Sequence, residues 1–296
     1  MRLASASAML VEAGGSPGNT PRVAGRVDGD RILVPLLSSG VPAASDQVRV
    51  AASLARASES VLHVTDPTTA ADRSTTVHGA DLTVGDEPDL LDRAVEDDTP
   101  SASHADTGLR YTHRLANGLL RSIDRHDVDT LVLPGRTGSG LLRRGLAERL
   151  ALHAGCDVVT VSGECGYERV PSILLAVAGG PHSGLAADVA GHIAADADAW
   201  VDVFHVVDED ASSERRSRAE AHVEAAARRI ARPDATSTRI VEAESAAEAI
   251  ITQSAYYGLA VVGAPTKGRL RQFIAGSTNR TVRDNARSVV LSVRAD

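Results

Sequence analysis

A chain of 296 residues, 43% of them hydrophobic, has material for two domains and their cores. Its net charge of -8 and its aromatic content of 2% exclude two common grips on nucleic acid, a basic surface and a stacking platform. No run approaches the roughly 18 consecutive apolar residues that a membrane-spanning helix needs, so a soluble, cytoplasmic chain is expected.

In chain order, residues 1–29 come first, an extension interrupted by Gly14, Gly15, Pro17 and Pro21. It lacks the apolar core of a signal peptide and is expected to be poorly ordered. The first domain is expected over residues 30–165, with strands near 31–36, 60–65, 109–113, 130–134 and 157–161. Residues 67–105, rich in Asp, Thr and Ser, read as a surface insertion with a short helix near Pro88–Glu96. Cys156 and Cys165 are nine apart, which fits neither a CxxC pair nor a zinc spacing, so reduced structural thiols are expected. The second domain is expected over residues 170–296. Its apolar runs at Ile173–Val177, Val201–Val207, Thr238–Val241, Leu259–Val262 and Val289–Val293 read as strands. Helical patterns fall between them at Gly184–Ala195, Ser213–Ala231, Ala246–Tyr257 and Thr278–Ala286. Strands alternating with helices imply a parallel α/β sheet.

The chain repeats itself. Ile173 (in SILLAVA) follows Ile32 (in RILVPLL) by 141 residues, and His205 follows His63 by 142. Gly263 (in AVVGAPTKG) follows Gly135 (in LVLPGRTG) by 128, and Val289 follows Val158 by 131. Four apolar strands thus recur in one order, as two copies of a single domain would require. His63 and His205 read as matched core histidines within that repeat.

In an open parallel sheet, ligands bind outside the carboxyl ends of the strands where the strand order reverses. The loop Gly263–Ser277 (GAPTKGRLRQFIAGS) leaves an apolar strand and reaches the expected helix at Ser277 and Thr278. Glycines before a helix N-terminus let backbone N–H groups converge on a phosphate, and Ser277 and Thr278 add hydroxyls. Lys267, Arg269 and Arg271 add positive charge. The plainer reading stands beside it: Gly263 and Gly276 turn the chain and Ser277 caps the helix.

These residues resemble the universal stress protein family, whose motif after the fourth strand is Gly, two residues, Gly, nine residues, then Gly-Ser or Gly-Thr. Gly263 and Gly276-Ser277 match its first and last positions, while Thr266 stands at the second glycine and Gly268 lies two residues on. The resemblance covers about residues 30–296 and implies two tandem five-stranded α/β domains of the adenine-nucleotide alpha hydrolase type. It also implies an intrachain pseudo-dimer, because fifth strands pair across dimers in this family. Val158–Val161 and Val289–Val293 are apolar, proline-free edges suited to such pairing. Many members bind ATP or another adenine nucleotide. The implied contacts are Gly263, Thr266, Gly268, Gly276, Ser277 and Thr278 on the phosphates, with Ala178 and Val207 near the nucleoside. In the first domain Gly135, Gly138, Gly140 and Gly145 are the weaker counterparts. Nucleotide-binding members usually end the first strand in Asp, whereas Leu37 and Ala178 stand there in this chain.

No GxSxG, HExxH or GxxxxGK[ST] pattern occurs, and no nucleophile and base are placed together, so an enzyme is not expected. His182, in the loop after Val177, is a further candidate contact. The expectation is a stress-response regulatory module with an ATP or AMP site in its second domain. The alternative is a nucleotide-free scaffold, with regulation of a membrane transporter as one such role.

Overall fold

The computed structural model describes residues 31–37, 41–67, 73–95, 108–135, 141–163, 169–263, 281–282, 286 and 288–296. The first half contains strands β1 (Arg31–Pro35), β2 (Val61–Asp66), β3 (Arg73–His78), β4 (Thr130–Pro134) and β5 (Asp157–Ser162). Its helices are α1 (Val41–Ser58), α2 (Glu87–Val95), α3 (Gly108–Arg125) and α4 (Leu141–His153). The second half contains β6 (Ser172–Ala176), β7 (Trp200–Val207), β8 (Thr236–Glu242), β9 (Leu259–Gly263) and β10 (Val289–Arg294). Its helices are α5 (Pro181–Ala197), α6 (Ser213–Ile230) and α7 (Ala246–Ser254).

The ten strands of the described residues form one sheet in the order β3-β2-β1-β4-β5-β10-β9-β6-β7-β8. Each half therefore has the same internal order, third-second-first-fourth-fifth. The second half is parallel throughout. The first half is parallel except for β3, which runs against β2. Only residues 67–72 separate β2 from β3, too few for the crossover of a dozen or more that a parallel return requires. Here the third strand precedes its covering helix. α2 follows β3 and packs on α1, β2 and β3, as α6 packs on α5, β7 and β8 in the second half.

Two expectations are corrected by this arrangement. Residues 109–113 are not a strand but the beginning of α3. A five-residue alternation there yields to the helical stripe that follows it, in which Ala116, Leu119 and Ile123 are buried at spacings of three and four. The third strand lies instead at Arg73–His78, inside the stretch read as a surface excursion.

The halves meet through their last strands, as the family resemblance implied. β5 and β10 pair antiparallel from Val290↔Ser162 to Arg294↔Val158, so both edges are used inside one chain. The central pair, Thr160↔Ser292, marks the pseudo-twofold axis. On one face a single apolar cluster spans both halves, from Ile32, Val34 and Val161 to Ile173, Val261 and Leu291, under α1 and α5. The opposite face carries separate cores, one built around Leu131, Leu133 and Leu150, the other around Leu174, Phe204 and Ala260. α1 and α5 are further joined by Arg56, whose guanidinium donates to both carboxylate oxygens of Asp196 at 2.8 Å and to Glu87 at 2.8 Å. All three side chains are nearly buried, so this network is a fixed part of the interface rather than a surface ion pair.

Register refines the sequence repeat. Ile32 pairs with Leu62 and Ile173 with Val201, so Val201 rather than Val203 or Phe204 answers to Leu62. His63 then corresponds to Asp202. It shares a sheet face with Leu33, whereas His205 follows Val201 and Val203 on the face of the shared core. The two histidines are not matched. Likewise Thr130 and Leu259 are the equivalent partners of Ile32 and Ile173, which aligns Gly263 with Pro134 and places Gly135 one residue beyond it. Strands apolar on both faces leave such slips unresolved in the sequence.

Candidate functional site

The strand order reverses between β6 and β9 in the second half and between β1 and β4 in the first, and in an open parallel sheet the carboxyl ends at such a reversal form the ligand crevice. In the second half the crevice is walled by the β6–α5 turn. Gly179 and Gly180 both have positive φ, +84° and +85°, which bends the chain sharply from β6 into α5. Pro181 then opens the helix. The Ser183 hydroxyl closes the turn: it accepts from the Ala178 N–H at 3.2 Å and donates to the Gly179 carbonyl at 3.1 Å. The imidazole of His222, from α6, lies against Gly179, where a Cβ would sit 2.5 Å from the ring. His205 of β7 is 5.6 Å from it, centroid to centroid. Burial and the neighbouring His222 hold His205 below the usual imidazole range.

The opposite wall is the end of β9. A Cβ on Gly263 would lie 2.9 Å from the His182 carbonyl oxygen and 3.0 Å from the Ser183 nitrogen. Only glycine lets β9 approach the first turn of α5 so closely. His182 does not project as a lone ligand; its Nδ1 accepts the Ala295 N–H at 3.1 Å. Val207 is buried against Ala211, Ala219 and Ile240. Ala178 lies on the crevice wall with its N–H bound to Ser183. Thr266, Gly268, Gly276, Ser277 and Thr278 lie outside the described residues. The structure thus brings Gly263 and Ala178 to one crevice and places Val207 in a neighbouring core.

The first half is built differently at the same place. β1 and β4 pair only at Ile32↔Thr130 and Leu33↔Leu131. Beyond those pairs the buried Gln47 of α1 spans the two strands, its Nε2 donating to the Pro35 carbonyl at 3.0 Å and the Val132 carbonyl at 2.9 Å. Its inward turn was not signalled by the sequence, since a Gln beside an apolar stripe ordinarily faces solvent. Gly135 serves the seam: its N–H donates to the Val161 carbonyl, and a Cβ there would collide with the Ser162 hydroxyl. Gly145, expected just ahead of a helix, is the fifth residue of α4. Gly138 and Gly140 lie outside the described residues.

Among the described residues no cluster of three or more His, Cys, Asp or Glu side chains is placed to hold a metal ion. No helix among them is long and apolar enough to cross a membrane.

Two α/β halves, paired through their fifth strands in one continuous sheet, define the protein as an internally dimeric α/β protein with a mostly parallel sheet. The model of the universal stress protein family matches residues 170–294, the span that holds β6 to β10. Solved structures agree in fold over nearly the whole chain. A protein assigned to the universal stress proteins of Pseudomonas aeruginosa is 17% identical, with a TM-score of 0.54 over 91% of this chain and 95% of that one. A universal stress protein from Archaeoglobus fulgidus is 12% identical, with a TM-score of 0.53 over 92% of this chain and 97% of that one. A universal stress protein in complex with cAMP matches 43% of this chain and 99% of its own length, at 20% identity and a TM-score of 0.37. No curated protein matches the chain.

Proposed function

We propose that the chain is a stress-response regulatory module that binds an adenine nucleotide, ATP or AMP, in the crevice between β6 and β9, with the first half as a diverged partner domain. The observation that carries this reading is the position of Gly263. It stands at the end of β9, within the span that the universal stress protein family model matches, where the strand order reverses and beside the amino end of α5. Gly276, Ser277 and Thr278, with Thr266 and Gly268, are the proposed phosphate contacts. The adenosine would rest near Ala178 on backbone and apolar groups alone, since no carboxylate stands at that position. Binding is proposed to be stoichiometric, without turnover.

The test is to denature the purified protein and identify released nucleotide by chromatography, then to titrate the emptied protein with ATP and AMP by calorimetry. About one nucleotide per chain, lost in Gly276→Val, is the expected result. An empty protein that takes up neither nucleotide refutes the proposal. A second reading, a scaffold that works through protein partners without nucleotide, is favoured by one feature of the crevice. Ser183 already occupies the Ala178 N–H and the Gly179 carbonyl that a base would otherwise meet.

A further inference from the structure

The residues at the end of β10 reach three separate parts of the molecule. Arg294 donates through Nη2 to the carbonyls of Ala154 at 2.8 Å and Cys156 at 3.3 Å, in the connection between α4 and β5. The Ala295 N–H donates to His182 Nδ1 at 3.1 Å, at the second residue of α5. The Asp296 N–H donates to Asp157 Oδ1 at 2.9 Å, on β5. Arg294, Ala295 and Asp157 are all buried. His182 presses its own backbone against Gly263. One residue therefore links the first turn of α5, the end of β9 through its backbone and the seam between the halves through its imidazole.

The direction of the central bond fixes the state of that imidazole. A backbone N–H can only donate, so Nδ1 of His182 must present its lone pair, with the ring proton on Nε2. A second proton would go to Nδ1 and set a donor against a donor. Burial, and after it the charge of Arg294 on β10, hold His182 below the usual imidazole range. The carboxylates grouped around the neighbouring acceptor are Asp157 itself on β5, Asp188 on α5 and Asp296, with Arg294 again beside them. Arg229 of α6 is bound to Asp188. Asp157 is not the switching group, because its carbonyl oxygen still accepts from Asp296 after protonation.

We propose that residues 294–296 form an acid-released latch, in which neutral His182 holds Ala295 and protonation of the imidazole frees the end of β10 from α5. Release slackens the turn at residues 178–183 against Gly263 while leaving the β5–β10 ladder intact. The crevice of the second half is thereby made sensitive to pH from the seam, whatever ligand it takes.

Amide hydrogen exchange by NMR on the full chain, expressed as protection factors from pH 7.5 to 5.0, tests this. Protection at Ala295 is expected to fall about tenfold across that range, with a smaller parallel loss at residues 178–183 and none in β6 or β9. In His182→Asn, whose side-chain oxygen accepts near the Nδ1 position without titrating, protection at Ala295 should stay flat. Protection that is flat in the wild type, or that falls equally in His182→Asn, overturns the proposal. Should that variant fail to fold, the imidazole ¹⁵N shifts of the wild type decide. An Nδ1 lone pair at pH 7.5 that titrates below the ordinary imidazole value supports the latch, and a proton on Nδ1 at that pH refutes it.

Discussion

Asp157 is a carboxylate that the fold has placed at a cost, and replacing it with Asn should stabilise the protein. The residue is 8% exposed at the start of β5, and its acid is pushed up from 3.8 to about 6. Burial is the main cause, opposed by the hydrogen bond from the Asp296 N–H and by Arg294, while Asp296 and Asp188 add repulsion. A folded-state value above the unfolded one means that the native state holds a proton more tightly than the unfolded chain. Stability contributed by this group is therefore present below about pH 4, falls as pH rises toward 6, and stays low above it. A rise of about two units corresponds to roughly 3 kcal/mol at most, since one unit is about 1.4 kcal/mol. Asn keeps an oxygen for the Asp296 N–H and removes the charge, at the price of an amide that must be accommodated. A gain of about 1–2 kcal/mol at pH 7.5 is expected, or roughly 2–3 °C in Tm for a chain of this size. Urea denaturation of both proteins at pH 7.5, 6.0 and 4.5 measures it, and the gain should vanish by pH 4.5. An Asn variant no more stable than wild type at pH 7.5, or a gain that is the same at every pH, refutes the reasoning.

Two further predictions concern the joint between the halves. Arg56→Ala leaves Asp196 and Glu87 nearly buried without their shared cation, so a loss of about 3 kcal/mol is expected in chemical denaturation. The hydroxyls of Thr160 and Ser292, at the pseudo-twofold axis, are buried without a hydrogen-bond partner. Thr160→Val keeps the shape and removes that burden, and calorimetry should show a gain of roughly 1 kcal/mol. A loss there would mean that the hydroxyl is bonded to buried water.

The sequence by itself determined the plan of the molecule. Apolar runs of four to seven residues separated by helical stripes dictate a parallel α/β sheet, and their recurrence dictates two copies. The apolar, proline-free edges at Val158–Val161 and Val289–Val293 suited pairing, and the family resemblance implied that they would pair with each other inside the chain, as they do. Gly263 was legible as a site where side chains are excluded, though the group it makes room for is the backbone of α5.

Only the tertiary structure decided register and the direction of polar side chains. A run buried on both faces carries no period-two signal, so the equivalence of His63 with Asp202, and of Pro134 with Gly263, emerged from ladder partners rather than from similarity. The antiparallel turn of β3 depended on how short the link from β2 is, once β3 itself was located. Gln47 across the first crevice and His182 beneath Ala295 are set by contacts between residues 85 and 113 apart, respectively. A single hydrogen bond at such range leaves no periodic trace in the chain. It is specified only after hydrophobic packing has brought the two segments together.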